Sequence, residues 1–269
     1  MPKEIKYEQK KFSGVRQLLS DFNETAYMMP NVVGLIEVDI TEAREIIRKY
    51  EEKSGDKISF TGWVTKCVGQ GVKEHKHLNA FVKGKRKLII FEHVDISVMV
   101  ERKTSSGKDV PVNYVIREAE GKSVKEISDE IRKLQSKVIE EKDQLVRGAS
   151  KYLYFYFLIP KFIRKIMIRR LLKNPFYVHR TAGTVGITSL GMYGKNLTAW
   201  AIPFGIKTLN IALAGIGERT KKIDGKFASR DTLFMTFLIN HNVVDGAPAT
   251  RFISRTVELM ENAYGLEEL

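Results

Sequence analysis

The spacing of apolar residues predicts a chain that alternates between helices and strands. After a polar arm, Leu18, Leu19 and Phe22 share one face of a helix that begins near Phe12 and carries Arg16. Asn31 to Ile40 reads as a strand, with Gly34 placed for a bulge. Thr41 is positioned to cap a helix of good helix formers from Glu42 to Glu52. Lys53-Ser-Gly-Asp-Lys57 is a turn, and Ser59 to Lys73 is a second helix with Trp63, Val64, Cys67 and Val68 turned inward. Residues 80–118 carry short β-type runs: Leu88 to Phe91, Asp95 to Val100 and Val110 to Ile116. Ser123 caps a helix to about Glu141, with Ile127, Ile131, Leu134 and Val138 on one face. Strands return at Thr184 to Thr188, at Thr208 to Gly215 and from Asp231 onward.

The last strand leads to the stretch with the most chemical content, Asn240-His241-Asn242-Val-Val-Asp245-Gly246. Phe234 to Ile239 is the apolar run of a buried strand, and Asp245-Gly246 is turn punctuation. Phe252, Ile253, Val257, Leu259 and Met260 then follow helical spacing. His241 is therefore delivered to a strand end, and Asp245 sits at the N-cap of the final helix. The alternative is structural: Asp-Gly is a common turn, and a single His is often a packing residue.

Charge alters the picture in one quarter of the chain. The net charge is +13, which calls for an anionic partner or surface. No acidic residue occurs between Asp143 and Glu218, while that interval holds eleven Lys and Arg. Within it, Tyr152 to Pro160 is aromatic and apolar, about half the length of a membrane span. Phe162, Ile163, Ile166 and Ile168 then interleave with Lys161, Arg164, Lys165, Arg169 and Arg170. This basic amphipathic pattern fits a membrane-surface element, a docking helix for a partner, or a helix packed on the core with a solvated basic face. Nothing resembles a nucleic-acid module. His75 and His77 cannot share a helix face, so no metal is expected there, and His93 reads as structural. One cysteine, Cys67, precludes an internal disulfide. The polar N-terminus lacks a secretory signal, so a cytoplasmic location is the expectation.

His-x-x-x-Asp-Gly resembles the signature of acyltransferases that include chloramphenicol acetyltransferase. The order of landmarks is similar to the catalytic domain of the 2-oxo acid dehydrogenase acyltransferases along nearly the whole chain. Arg16 lies in the first helix, Glu37-Val-Asp39 ends a strand, and Leu78-Asn79 follows a buried helix. Val110-Pro111-Val112, Thr188-Ser189-Leu-Gly191-Met-Tyr-Gly194 and His241 to Ala247 complete the set.

The resemblance implies an α/β (α+β) two-layer sandwich, a mixed sheet covered by helices, as one domain over residues 1–269. It implies a homotrimer with one strand shared across the interface, and it leaves higher assembly open. It implies acyl transfer between a thioester, acyl-CoA or acyl-lipoyl, and an acceptor, with coenzyme A as substrate and no metal. His241 would be the general base, and Thr188, with Ser189 adjacent, the hydroxyl that stabilises the oxyanion. Asp245 would be a structural carboxylate paired with Arg16, supported by Gly246 and Asn242. Family members carry Asp-His-Arg where this chain has Asn240-His241-Asn242. No lipoyl or peripheral-subunit-binding segment is expected, and the segment at 150–175 looks longer than its family equivalent. The competing reading is a trimeric scaffold or binding protein of the same fold without the chemistry, with a membrane-peripheral form left open.

Overall fold

The computed structural model describes residues 6–10, 12, 14–105, 107, 109–137, 156, 158–191, 198–223 and 225–269. The expected extension of the 124 helix through Val138, the aromatic run Tyr152 to Phe155 and the Met192-Tyr193-Gly194 loop lie outside them. Helices α1 (Gly14–Tyr27), α2 (Thr41–Ser54), α3 (Phe60–Glu74), α4 (Val124–Gln135), α5 (Lys161–Leu172), α6 (Pro175–Ala182) and α7 (Gly246–Glu261) are described. The strands are β1 (Asn31–Asp39), β2 (Ala80–Lys83), β3 (Lys87–Ile90), β4 (Ile96–Lys103), β5 (Asp109–Ile116), β6 (Val185–Ser189), β7 (Leu209–Ile223) and β8 (Lys226–Asn240).

Six strands form one mixed sheet in the order β1-β8-β7-β6-β4-β5, and β2 and β3 form a separate hairpin. β6 runs parallel to both β4 and β7, and the remaining pairs in the large sheet are antiparallel. One face of this sheet, with Val98, Val185, Ile187, Ile211, Met235 and Phe237, is buried under the helices. Central to that layer is α3, which packs against α4 and α7. Its Gly71 permits the contact with α7, because a Cβ there would lie 2.7 Å from Thr256 Oγ1. A smaller cluster of Ala26, Phe81, Val178 and Ile206 gathers α1, β2 and α6 beside the main core.

Local chemistry explains the element ends. Ser59 Oγ accepts from Gly62 N at the start of α3. Ser123 and Glu126 form a reciprocal capping box on α4. Thr41 does not cap α2; it is the first helical residue, and its N–H and hydroxyl donate to Asp39 Oδ1 at 3.1 and 2.8 Å. The Asp39 carboxyl is held below its usual range: burial opposes this, but hydrogen bonds from Arg230 and Thr41 outweigh it.

Several expectations need correction. Gly34 makes no bulge, since β1 pairs with β8 in continuous register from Asn31 to Asp39. The irregularity falls in β7 between Leu213 and Ile216. β7 and β8 each run 15 residues, well past the predicted ends, and meet at the tight turn beside Gly225, whose φ is +83°. Helix α5 does not divide cleanly into an apolar inner face and a solvated basic one, although Ile168 is buried and Arg169 and Arg170 are exposed as that pattern expects. Arg164 is buried with Nε 3.5 Å from Asp21, and Lys161 and Lys165 pair with Glu24, while Phe162 and Ile166 are exposed. The physical reason is α1, whose facing side offers Asp21 and Glu24 rather than an apolar stripe. Among the described residues, no helix is long and apolar enough to cross a membrane.

Candidate active site

The His241 turn is built by its neighbours in sequence. Asn240 is buried at the end of β8, where its N–H donates to Thr208 O at 2.9 Å. Its side-chain oxygen accepts from Asn242 N at 3.0 Å, and its carbonyl accepts from Val243 and Val244 N. This side-chain-to-backbone turn makes Asn240 the residue that shapes the loop. In the sequence Asn240 stands out only as a departure from a familiar pattern, although an Asn whose side-chain oxygen can accept from the N–H two residues on is a turn signal in its own right. His241 N donates to Pro30 O at 2.9 Å, tying the turn to the entry of β1.

The imidazole of His241 is half-exposed, and its Nδ1 lies 3.8 Å from Asp245 Oδ1. That separation is too long for a hydrogen bond. Asp245 occupies the N-cap position of α7, but its side chain makes no capping bond and is 86% exposed. Gly246 opens the helix. Arg16 is exposed on α1, and no ion pair joins it to Asp245 among the described residues. Asn242 is exposed beside the histidine.

Thr188 and Ser189 end β6 and, as successive strand residues, face opposite sides of the sheet. Ser189 turns to the helix side, where with Gly191, Val98, Leu213 and Leu233 it lines a cleft of about 910 Å³. Thr188 turns to the other side, in one row with Ala212 and Thr236. That second face is open in part: Val33 and Leu35 of β1, and Tyr27, Met28, Ile202 and Phe204 around it, are exposed.

The registers fix how far the candidate groups stand apart. Thr188 pairs with Ala212, Ala212 pairs with Thr236, and His241 follows five residues after Thr236. Two strand spacings across and five residues along amount to about 19 Å. One chain therefore does not bring Thr188 to its own His241. It brings Asp245, Asn242 and Gly246 to the histidine and leaves Thr188 and Ser189 elsewhere on the sheet.

A second titratable group lies on the Thr188 side of the sheet. Lys207 is 6% exposed, with its ammonium donating to Ser97 Oγ and, at 3.0 Å, to Val185 O. Burial with no carboxylate beside it pushes the amine down to about 7. No signal in the sequence pointed to it, since a lysine before an apolar run reads as a solvated strand end. Among the described residues, no cluster of three or more His, Cys, Asp or Glu is placed to hold a metal ion.

A mixed six-stranded sheet under one helical layer, with a histidine on its strand-to-helix turn, has the chloramphenicol acetyltransferase-like fold. A solved chloramphenicol acetyltransferase superposes with a TM-score of 0.53 at 12% identity, covering 92% of this chain and 94% of that one. The chain belongs to the 2-oxoacid dehydrogenases acyltransferase family (catalytic domain), whose model matches residues 4–146 and 177–267. The unmatched stretch between those two blocks contains α5.

A relative from Bartonella vinsonii subsp. berkhoffii is the dihydrolipoyllysine-residue succinyltransferase component of a 2-oxoglutarate dehydrogenase complex. It is 27% identical over 267 residues, covering 96% of this chain and 55% of the relative. The chain thus spans about half the length of that protein. The dihydrolipoamide acetyltransferase of Azotobacter vinelandii superposes with a TM-score of 0.69 at 20% identity, covering 98% of this chain and 96% of that one.

Proposed function

We propose that this chain moves an acyl group between a CoA thioester and the thiol of a dihydrolipoyl carrier, at a site shared by two subunits of a trimer. The observation that carries the reading is the separation of about 19 Å between Thr188 and His241 along the sheet. A reaction needing both groups requires a second copy, and the exposed apolar rim of Val33, Leu35, Ile202 and Phe204 gives that copy a surface to cover.

In this reading the acceptor thiol approaches His241, which takes its proton as sulfur attacks the thioester carbon. The oxygen of the tetrahedral intermediate takes a hydrogen bond from the Thr188 hydroxyl of a neighbouring subunit. Collapse breaks the carbon–sulfur bond to CoA, and the proton on His241 passes to the departing thiolate. Asn240 replaces the aspartate of related proteins but still holds the turn, so the altered flank leaves the histidine's placement intact. In the Azotobacter protein, a serine, a histidine and an asparagine have been probed for roles in catalysis. That histidine is followed four positions on by the asparagine, the place Asp245 holds here.

The exposure of Asp245 and its lack of a capping bond favour a second reading, an inactive trimeric scaffold of the same fold. Thioester turnover with dihydrolipoamide, followed by free thiol release, separates the two. Loss of an oxyanion donor costs roughly 10²–10³ in rate. Thr188→Ala is expected to fall by that factor, and Ser189→Ala, on the opposite face, by less than tenfold. Equal and small losses in both variants would remove Thr188 from the mechanism. Absence of turnover in folded, trimeric wild type would favour the scaffold.

A further inference from the structure

The acid-free quarter of the chain has a structural focus away from His241. Arg170, in the last turn of α5, and Arg180, in the last turn of α6, converge with Arg117 on a cavity of about 620 Å³. Tyr177, His179 and Phe176 complete its wall.

Arg117 is fixed in place. Its NH1 donates to Asp95 Oδ2 at 2.6 Å and to His179 O at 3.0 Å, and its NH2 donates to Arg180 O at 2.7 Å. His179 is also held, stacked on Phe91 with centroids 4.3 Å apart and with Nε2 3.0 Å from Asp95 Oδ2. Asp95, buried, is thus occupied by Arg117 and His179. Arg170 and Arg180 have no carboxylate partner among the described residues, and both are exposed. A cation at a helix C-terminus is favoured by the helix dipole. That accounts for each arginine singly but not for their meeting around one cavity with a third.

Guanidinium groups present forked donors that match phosphate oxygens two at a time. The aromatic wall of Phe176 and Tyr177 gives a flat ring a surface beside them, and Lys83 adds a cation 4.7 Å from the Phe176 ring centroid. The place is distinct from the reacting groups. Arg117 follows the end of β5, four strands from β8 in the sheet order, which puts it about 19 Å or more across from the His241 turn. From Thr188 it stands two strands across and four residues along, about 16 Å. Arg170, Asn174 and Phe176 lie in the stretch that the family model leaves unmatched, whereas Arg117, Tyr177, His179 and Arg180 lie in the matched blocks.

We propose that the α5–α6 cavity binds a phosphomonoester, with Arg170 and Arg180 as its principal ligands and Arg117 as a fixed third cation. A nucleoside monophosphate is the simplest ligand that uses both the cations and the ring surface. The site does not depend on acyl transfer.

Isothermal titration with AMP, inorganic phosphate and adenosine tests it on the whole chain. AMP is expected to bind wild type and His241→Ala alike, with affinity falling several-fold as salt rises from about 50 to about 300 mM. Arg170→Ala/Arg180→Ala, checked for folding by circular dichroism, is expected to lose at least about tenfold in affinity, in keeping with two lost charge-assisted contacts. Arg48→Ala, an exposed arginine on α2, is expected to bind as wild type does. Phosphate binding as tightly as AMP would assign the site to the phosphoryl group alone, while adenosine is expected not to bind. AMP and phosphate both failing to bind, or binding undiminished in the folded double variant, would overturn the proposal.

Discussion

Replacing His241 by alanine is expected to lower thioester turnover by about 10²–10⁴, the range for losing a positioned general base, with little change in stability. The stability expectation follows from the local structure. The imidazole is half-exposed and its contact to Asp245 is 3.8 Å, so the side chain contributes little to the fold. The turn is held instead by Asn240 and by the His241 backbone N–H on Pro30 O, both of which alanine preserves. Steady-state turnover together with a urea midpoint checks both halves. A stable variant with unchanged turnover would sink the assignment of His241 as base.

Substituting Lys207 by methionine is expected to stabilise the protein at neutral pH. The folded amine is depressed to about 7 by burial, whereas in the unfolded chain it titrates near 10.5. Between those values the unfolded state binds more protons than the folded state, so this group's contribution to stability improves as pH rises through the window. At pH 7 and below, the buried amine opposes folding. Each unit of depression is worth about 1.4 kcal/mol, which sets the penalty on the order of 4 kcal/mol. Loss of the bonds to Ser97 and Val185 offsets part of this, at about 1 kcal/mol each. Ser97 Oγ keeps a partner, because it also donates to Val185 O at 3.3 Å. A gain of about 2 kcal/mol at pH 7 is expected, vanishing or reversing toward pH 10. Urea midpoints of both proteins at the two pH values check it. A difference independent of pH would contradict the buried, depressed amine.

The elements that carry the histidine were legible because their local and tertiary signals agree. Phe234 to Ile239 is apolar because β8 lies mid-sheet, with neighbours on both sides. Asp245-Gly246 marks the start of α7, and the Ser59 and Ser123 caps lie at the starts of α3 and α4. What escaped the sequence depends on partners distant along the chain. Helix α5 reads as amphipathic with its charges in water, yet Asp21 of α1 draws Arg164 inside and Glu24 draws Lys165 partly inside. The polar halves of β7 and β8 alternate too weakly to announce a strand. Thr188 and Ser189 were ambiguous by alignment alone, and the pleat separates them by turning one to each face.

The account rests on a site that no single chain completes. Mixing His241→Ala chains with Thr188→Ala chains, and reassembling them, tests this most directly. In a cyclic trimer with one site at each interface, random mixing pairs an intact His241 with an intact Thr188 at about a quarter of the sites. Turnover near a quarter of wild type, from two parents that are each nearly inactive, is the predicted result. Mixed trimers, verified by native mass spectrometry, with no more activity than their parents would show that the two residues do not act across an interface.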